Sequence, residues 1–150
     1  MIIYLAHPIS GLSYDAVTTY YEATGRQLRG MGYKVLHPML GKEHLRTEKE
    51  FRALDYRHPV STNHAIIERD AWMVDRADIV LVDLRDTDTV SIGCMMELAW
   101  AYRQHKHTIV ILPEDNVHRH AFVLEAADIV FGTLAMALLY LGNLAKEQDE

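Results

Sequence analysis

Five short apolar runs, Ile2–Ala6, Lys34–Leu36, Ile79–Leu84, Thr108–Leu112 and Ile129–Phe131, recur along the 150-residue chain with longer polar-patterned stretches between them. Their β-branched content and weak alternation suit strands covered on both faces, which is the signature of a parallel sheet. The intervening stretches carry helical spacing. Val17, Tyr20, Tyr21, Thr24 and Leu28 fall three or four residues apart in a segment that starts at Ser13 or Tyr14 and runs to Met31, before a glycine stop at Gly32. Thr62–Arg76, Ser91–Gln104 and Thr133–Lys146 read as three further helices, the last running into a frayed acidic tail. Strands and helices in alternation imply right-handed βαβ units. The expected fold is α/β: one doubly wound, mostly parallel five-stranded sheet with helices on both faces, flavodoxin-like or Rossmann-like, in a single domain over residues 1–150.

The segment Gly41–Pro59 breaks this rhythm, being charge-rich, aperiodic and long for a connection in a compact domain. A flap or short helical insertion over the site is expected there. A formal net charge of −6 excludes sustained binding to duplex nucleic acid, whose affinity comes from Lys and Arg. The lone Cys94 cannot form an intramolecular disulfide, and no basic leader or export-length apolar stretch opens the chain, so a cytoplasmic location without membrane contact is expected.

Ligands of open parallel sheets bind beyond the carboxyl ends of the strands. After the first strand comes His7-Pro8-Ile9-Ser10-Gly11-Leu12-Ser13, whose backbone amides beside a helix start could hold an anion, or which could be an ordinary serine-capped loop. It matches neither a Walker loop nor the dinucleotide fingerprint. After the third strand, Ser91 opens a helix and Glu97 lies six residues further on among Met95, Met96, Leu98 and Trp100. A carboxylate there either sits on the polar stripe of the helix or occupies a pocket, where it would be a nucleophile or base. Asp70, on the preceding helix, is open to the same two readings: a solvent-facing charge paired with Arg69 or His64, or a second carboxylate in the crevice. Two carboxylates in one cleft support chemistry at glycosidic bonds. Nine histidines raise the question of a metal, but His105/His107 and His118/His120 converge only on extended chain, and no zinc pattern appears. Cys94 reads as a small core residue.

Taken together, Tyr4-Leu5-Ala6-His7-Pro8-Ile9-Ser10-Gly11, Arg69-Asp70 followed by Ala77-Asp78, and Ser91-x-Gly93-x-x-x-Glu97 resemble the nucleoside 2-deoxyribosyltransferase-like superfamily, which includes the nucleoside 5′-monophosphate N-glycosidases. The resemblance implies an N-glycosidic bond broken by Glu97 as nucleophile through a glycosyl ester, with Tyr4 bonded near it and Asp70 at the nucleobase. Transferases acting on free nucleosides commonly carry Asp where this chain has Ser91. Serine there resembles the monophosphate hydrolases and implies phosphate contacts from Ile9, Ser10, Gly11, Ser91 and Gly93. Leu12 and Ser13 follow Gly11 where those hydrolases often have arginines and further glycines. The stretch Asn116–Ala121 resembles an Asn-x-His-x-His-Ala motif, which implies substrate contacts from His118 and His120. The family's habit further implies a homodimer or higher homo-oligomer with shared sites, and an insertion that covers the base.

The expected activity is therefore hydrolysis of a (2-deoxy)nucleoside 5′-monophosphate to free base and sugar 5-phosphate, with a small molecule as partner and neither cofactor nor metal. Three rivals stand beside it: a transferase exchanging bases, a nucleotide-binding module in which Glu97 only reads a ribose hydroxyl, and a metal-dependent hydrolase.

Overall fold

A computed structural model describes residues 1–147. The acidic tail expected after the last helix falls largely outside the described residues. Strands β1 (Ile2–Ala6), β2 (Lys34–Leu36), β3 (Ile79–Asp83), β4 (His107–Ile111) and β5 (Ile129–Phe131) form one sheet in the order β2-β1-β3-β4-β5. Every pairing is parallel. Helices α1 (Tyr14–Gly30), α2 (Asn63–Arg76), α3 (Ile92–Arg103), α4 (Ala121–Ala126) and α5 (Leu134–Lys146) connect or follow the strands. The short α4 was not expected from the sequence, since six residues hold too few turns to show a period.

The two-residue repeat of the strands sorts side chains onto two cores. Ile3, Leu5, Ile79, Leu81, Ile109 and Ile111 pack with Val17, Tyr21 and Leu28 of α1 and Leu141 of α5. Tyr4, Ala6, Val80, Val82 and Val110 pack with Met73 and Val74 of α2 and Cys94 and Leu98 of α3. Cys94 is thus a core residue, as expected.

Local chemistry sets the element ends. Ser13 Oγ accepts the Ala16 N–H at 3.1 Å to start α1. At its other end Gly32 has φ +92°, donates to the Arg29 carbonyl at 3.0 Å, and lets Tyr33 donate to the Leu28 carbonyl at 3.2 Å. That pair of bonds is a Schellman stop, and it needs a residue at ease with positive φ.

The insertion contains one-turn 3₁₀ helices at Glu43–Leu45 and Pro59–Ser61. It is stitched to the first loop: Gly11 N–H donates to the Phe51 carbonyl at 2.9 Å and Phe51 N–H to the Leu12 carbonyl at 2.7 Å. Leu45 and Phe51 are buried in the α1-side core, so the insertion is packed against the body of the fold. The chain leaves β1 in one direction to β2 and in the other to β3, and the reversal between β1 and β3 opens the crevice where such sheets bind ligands.

Candidate active site

Tyr4, Asp70 and Glu97 meet on the α2–α3 side of that crevice. Glu97 is 6% exposed, which decides against the polar-stripe reading. The helix puts it on the same face as Cys94, Leu98 and Ala101, turned toward the sheet. The Tyr4 hydroxyl, fully enclosed, donates to Glu97 Oε1 at 2.6 Å. Burial pushes the Tyr4 pKa well up, reinforced by the nearby Glu97 charge, so the phenol keeps its proton and remains a donor.

Glu97 itself is pushed up to about 8, first by burial and then by the negative charge of Asp70, with the Tyr4 bond and Lys42 opposing. Asp70 is 8% exposed, so it too lies in the crevice and not on the solvent face of α2. Burial raises its pKa against the pull of Lys42 and Arg69. Arg69 approaches Asp70 Oδ1 at 3.7 Å, but its guanidinium is anchored elsewhere, donating to the Pro38 and Leu40 carbonyls. Asp70 Oδ1 is consequently a buried acceptor without a hydrogen-bond donor. A desolvated carboxylate at Glu97 is costly alone and meets a cationic sugar centre with little screening, which is the condition for electrostatic stabilisation of an oxocarbenium-like state.

Lys42 was missed in the sequence. Its side chain is only 3% exposed and lies within electrostatic reach of Asp70 and Glu97. Burial lowers its pKa to about 8, partly offset by Asp70. The signal was available, because Lys42 follows the carboxyl end of β2 behind the apolar pair Met39-Leu40, but the charge-rich insertion disguised it as surface.

A second cluster, also missed, tops the α1 side. The Asp83 carboxylate, wholly buried, accepts from Arg85 Nε at 2.9 Å, Arg85 Nη2 at 2.8 Å and the Tyr20 hydroxyl at 2.8 Å. Burial alone would raise its pKa, but these donors outweigh it and hold the group below the usual carboxylate range. His7 stacks on Tyr20 with ring centroids 3.8 Å apart, and its Nδ1–H donates to the Asp83 carbonyl at 2.9 Å.

The expected phosphate-binding residues lie beyond the paired strands β1 and β3. Ser91 caps α3, its Oγ accepting the Cys94 N–H at 3.3 Å. A side chain on Gly93 would meet nothing within 4 Å, so the helix start faces open space. Ile9 and Ser10 form the turn before Gly11, closed by the Leu12 N–H on the Ile9 carbonyl at 3.1 Å. Two expectations need correction. The Gly11 amide is spent on Phe51, which removes it as an anion donor, and the glycine serves the turn through its φ of +83°. His118, expected against substrate, has both ring nitrogens engaged: Nε2 accepts the Ser91 N–H at 2.8 Å, so Nδ1 carries the proton and donates to Asn116 Oδ1 at 2.8 Å. It holds the start of α3. His120 caps α4 by accepting the Phe122 N–H on Nδ1 at 3.2 Å.

Two surface cavities lie away from Glu97. One, of about 330 Å³, is polar and lined by Tyr102, His105, Lys106, His107, Thr108 and Asp128. The other, of about 600 Å³, is an apolar groove between α3 and α4 that includes Met95, Leu98, Val117 and Phe122. Among the described residues no three His, Cys, Asp or Glu side chains are grouped to hold a metal ion, and no helix is long and apolar enough to cross a membrane.

Known structures share this architecture. A 2-deoxyribosyltransferase from the psychrotolerant bacterium Bacillus psychrosaccharolyticus superposes with a TM-score of 0.63 at 20% identity, covering 92% of this chain and 90% of that one. The 2-deoxyribosyltransferase of Leishmania mexicana gives 0.64 at 18%, covering 95% and 97%. The Clostridium botulinum CMP N-glycosidase BcmB gives 0.60 at 14%, covering 94% and 97%. At these identities the likeness is one of fold. No curated protein sequence matches significantly. The decisive match is to the sequence profile of the nucleoside 2-deoxyribosyltransferases, which spans residues 3–138. The chain belongs to that family.

Proposed function

We propose that the protein hydrolyses the N-glycosidic bond of a (2-deoxy)nucleoside 5′-monophosphate, releasing free base and sugar 5-phosphate. The observation that carries the reading is the buried Tyr4–Glu97 hydrogen bond in a crevice shared with Asp70. Glu97 attacks C1′ as the bond to the base loosens, Tyr4 fixes the attacking carboxylate, and Asp70 contacts the base. Water then resolves the glycosyl ester. No step requires a metal or an organic cofactor.

The choice of a monophosphate rests on Ser91. An uncharged residue at the amino end of α3 favours a dianion, where a carboxylate would repel it. Ile9, Ser10 and Gly93 border the same end of the crevice and complete the phosphate site in this reading. Two 2-deoxyribosyltransferases and a CMP N-glycosidase share the fold, so the fold leaves both outcomes open, and in this reading Ser91 tips the balance to hydrolysis of a monophosphate. Self-association through the apolar α3–α4 groove is part of the proposal, because Phe122 stands 81% exposed on it. His120 borders that groove, and in this proposal it reaches the substrate of a neighbouring copy.

The test is chromatographic detection of free base from ribo- and deoxyribonucleoside monophosphates and nucleosides, with and without a second base. Base release from monophosphates in water alone is expected, abolished in Glu97→Ala and impaired far more for monophosphate than for nucleoside in Ser91→Asp. Product formed only when a second base is present would make the protein a transferase. Tight binding without product would leave it a binding module.

A further inference from the structure

Three buried polar atoms lack a hydrogen-bond partner among the described residues: Asp70 Oδ1, Arg69 Nε and His37 Nδ1. Asp70 and Arg69 lie on α2 and His37 follows β2, stacked on Tyr21; of the three, Asp70 shares the crevice with Glu97. Lys42, a residue 3% exposed, brings its ammonium within electrostatic reach of Asp70 and Glu97, and no described residue accepts a hydrogen bond from it. Buried acceptors are nearly always satisfied, and the unmatched Asp70 Oδ1 in the crevice with Glu97 marks where a ligand's polar edge belongs. The backbone aims Lys42 inward: Gly41, at φ +71°, turns the chain so that Lys42 N–H donates to the Met39 carbonyl at 3.1 Å.

We propose that Lys42 is a further catalytic residue, the general acid that protonates the departing nucleobase. The inference rests on the glycosidase reading above. As the C1′–N bond breaks, its electron pair stays on the base, and a Glu97 carboxylate oxygen bonds to C1′. Lys42 gives one proton to the base and becomes a neutral amine. Water then attacks C1′ of the ester; its hydroxyl stays on the sugar, Glu97 leaves as carboxylate, and the remaining proton returns to Lys42. Asp70, whose Oδ1 has no donor of its own, accepts from an N–H of the base and orients it.

The surroundings suit an ammonium that must both hold and release a proton. Asp70 from α2 and Glu97 from α3 favour its charged form, while burial and Arg69 disfavour it. The balance leaves its pKa near 8, close to neutral pH, where general acids work best. A lysine on the surface would be too weak an acid for this task.

The experiment compares wild type, Lys42→Met and Lys42→Arg on the 5′-monophosphates of uridine, 5-fluorouridine, guanosine and 7-methylguanosine, with thermal unfolding as the folding control. Fluorouracil is a better leaving group, and 7-methylguanine departs neutral without receiving a proton. Loss of a general acid costs about 100-fold or more. The expected result is a loss of that size in kcat for Lys42→Met on the parent base that wild type releases, shrinking at least tenfold for its activated analogue. The alkaline limb of the pH–rate profile disappears in this variant. Lys42→Arg, which keeps the charge without an acidic proton, is expected to retain substrate binding and lose turnover. Equal losses on parent and activated substrates, or an unchanged alkaline limb, would overturn the role of Lys42 while leaving the glycosidase reading intact. Absence of base release by wild type from every substrate would overturn both.

Discussion

Glu97→Gln removes a charge that folding has to desolvate, and the consequence for stability can be worked out from the site. In the unfolded chain the carboxyl has an ordinary pKa near 4.5, and in the folded chain it is pushed to about 8. The folded protein therefore holds this proton more tightly than the unfolded one. The contribution of Glu97 to stability is greatest below pH 4.5, falls as pH rises from 4.5 to 8, and is level above that window. Relative to the unfolded chain, this carboxyl disfavours folding by about 5 kcal/mol at pH 9, where it is ionised in the site, and by only about 1 kcal/mol at pH 5, where the folded group keeps its proton. Glutamine has the same shape, and its amide oxygen still accepts from the Tyr4 hydroxyl. Readjustment of Asp70 and Lys42, which sense the Glu97 charge, trims the difference without changing its sign. Urea unfolding of wild type and variant at pH 5, 7 and 9 should show the inactive variant gaining on wild type by about 4 kcal/mol across that range. Parallel stability curves would show that Glu97 ionises as an ordinary surface carboxyl, and the argument for a desolvated nucleophile would fail.

Tyr4→Phe deletes the 2.6 Å bond to Glu97, which lowers the glutamate's pKa; the acid limb of the pH–rate profile should move to higher pH while stability drops by about 1 kcal/mol. His118→Ala leaves the Ser91 N–H without its acceptor, and the expected outcome is a loss of about 1–3 kcal/mol in thermal unfolding together with a rise in KM for monophosphate larger than the fall in kcat. An unchanged KM would separate His118 from the phosphate end of the site. Phe122→Asp places a charge in the apolar groove between α3 and α4; sedimentation should show the wild type self-associated, as proposed, and the variant shifted to monomer, whereas a monomeric wild type or an unaltered variant would overturn this groove as the interface.

The sheet was legible because strands buried on both faces write near-continuous β-branched runs into the sequence, and the expected ends of β1, β2 and β5 agree with the observed ones. Glu97 and Asp70 were visible as candidates, but their burial was not. Glutamate amid Met, Leu and Trp on a helix is compatible with either face until the helix is docked on β1, where Tyr4 supplies its partner 93 positions away in sequence. Lys42 illustrates the same limit more sharply. Its own neighbours Glu43 and His44 are polar, and only the turn at Gly41 and the arrival of α2 place the ammonium beside Asp70. The internal use of His118 was hidden for a related reason: an i,i+2 histidine pair shows only that two imidazoles are close along the chain, whereas the acceptor role of Nε2 is set by an amide 27 positions away. Short-range patterns report elements and candidate chemistry. Long-range packing decides the charge state on which that chemistry depends.

One helix sets the spacing between the two ends of the proposed substrate. Ser91 caps the amino terminus of α3, where the helix dipole favours an anion, and Glu97 follows six residues later, about 9 Å along the axis. In the proposed complex a phosphate dianion and a developing cation on the sugar meet separate parts of the same rigid rod, the phosphate at its electropositive start and the anomeric carbon at a carboxylate further in. The lateral position of Glu97 is fixed by Tyr4 from β1, and that of the helix start by His118 from the loop after β4. In the proposed reaction the base is contacted instead from the β2 side, by Asp70 on α2 and Lys42 at the root of the insertion, so that nucleophile and leaving-group contacts come from different elements. On that proposal, base preference is adjustable through the insertion while the Tyr4–Glu97 pair and the proposed phosphate end stay unchanged, with the chemistry at the junction of β1, α2 and α3.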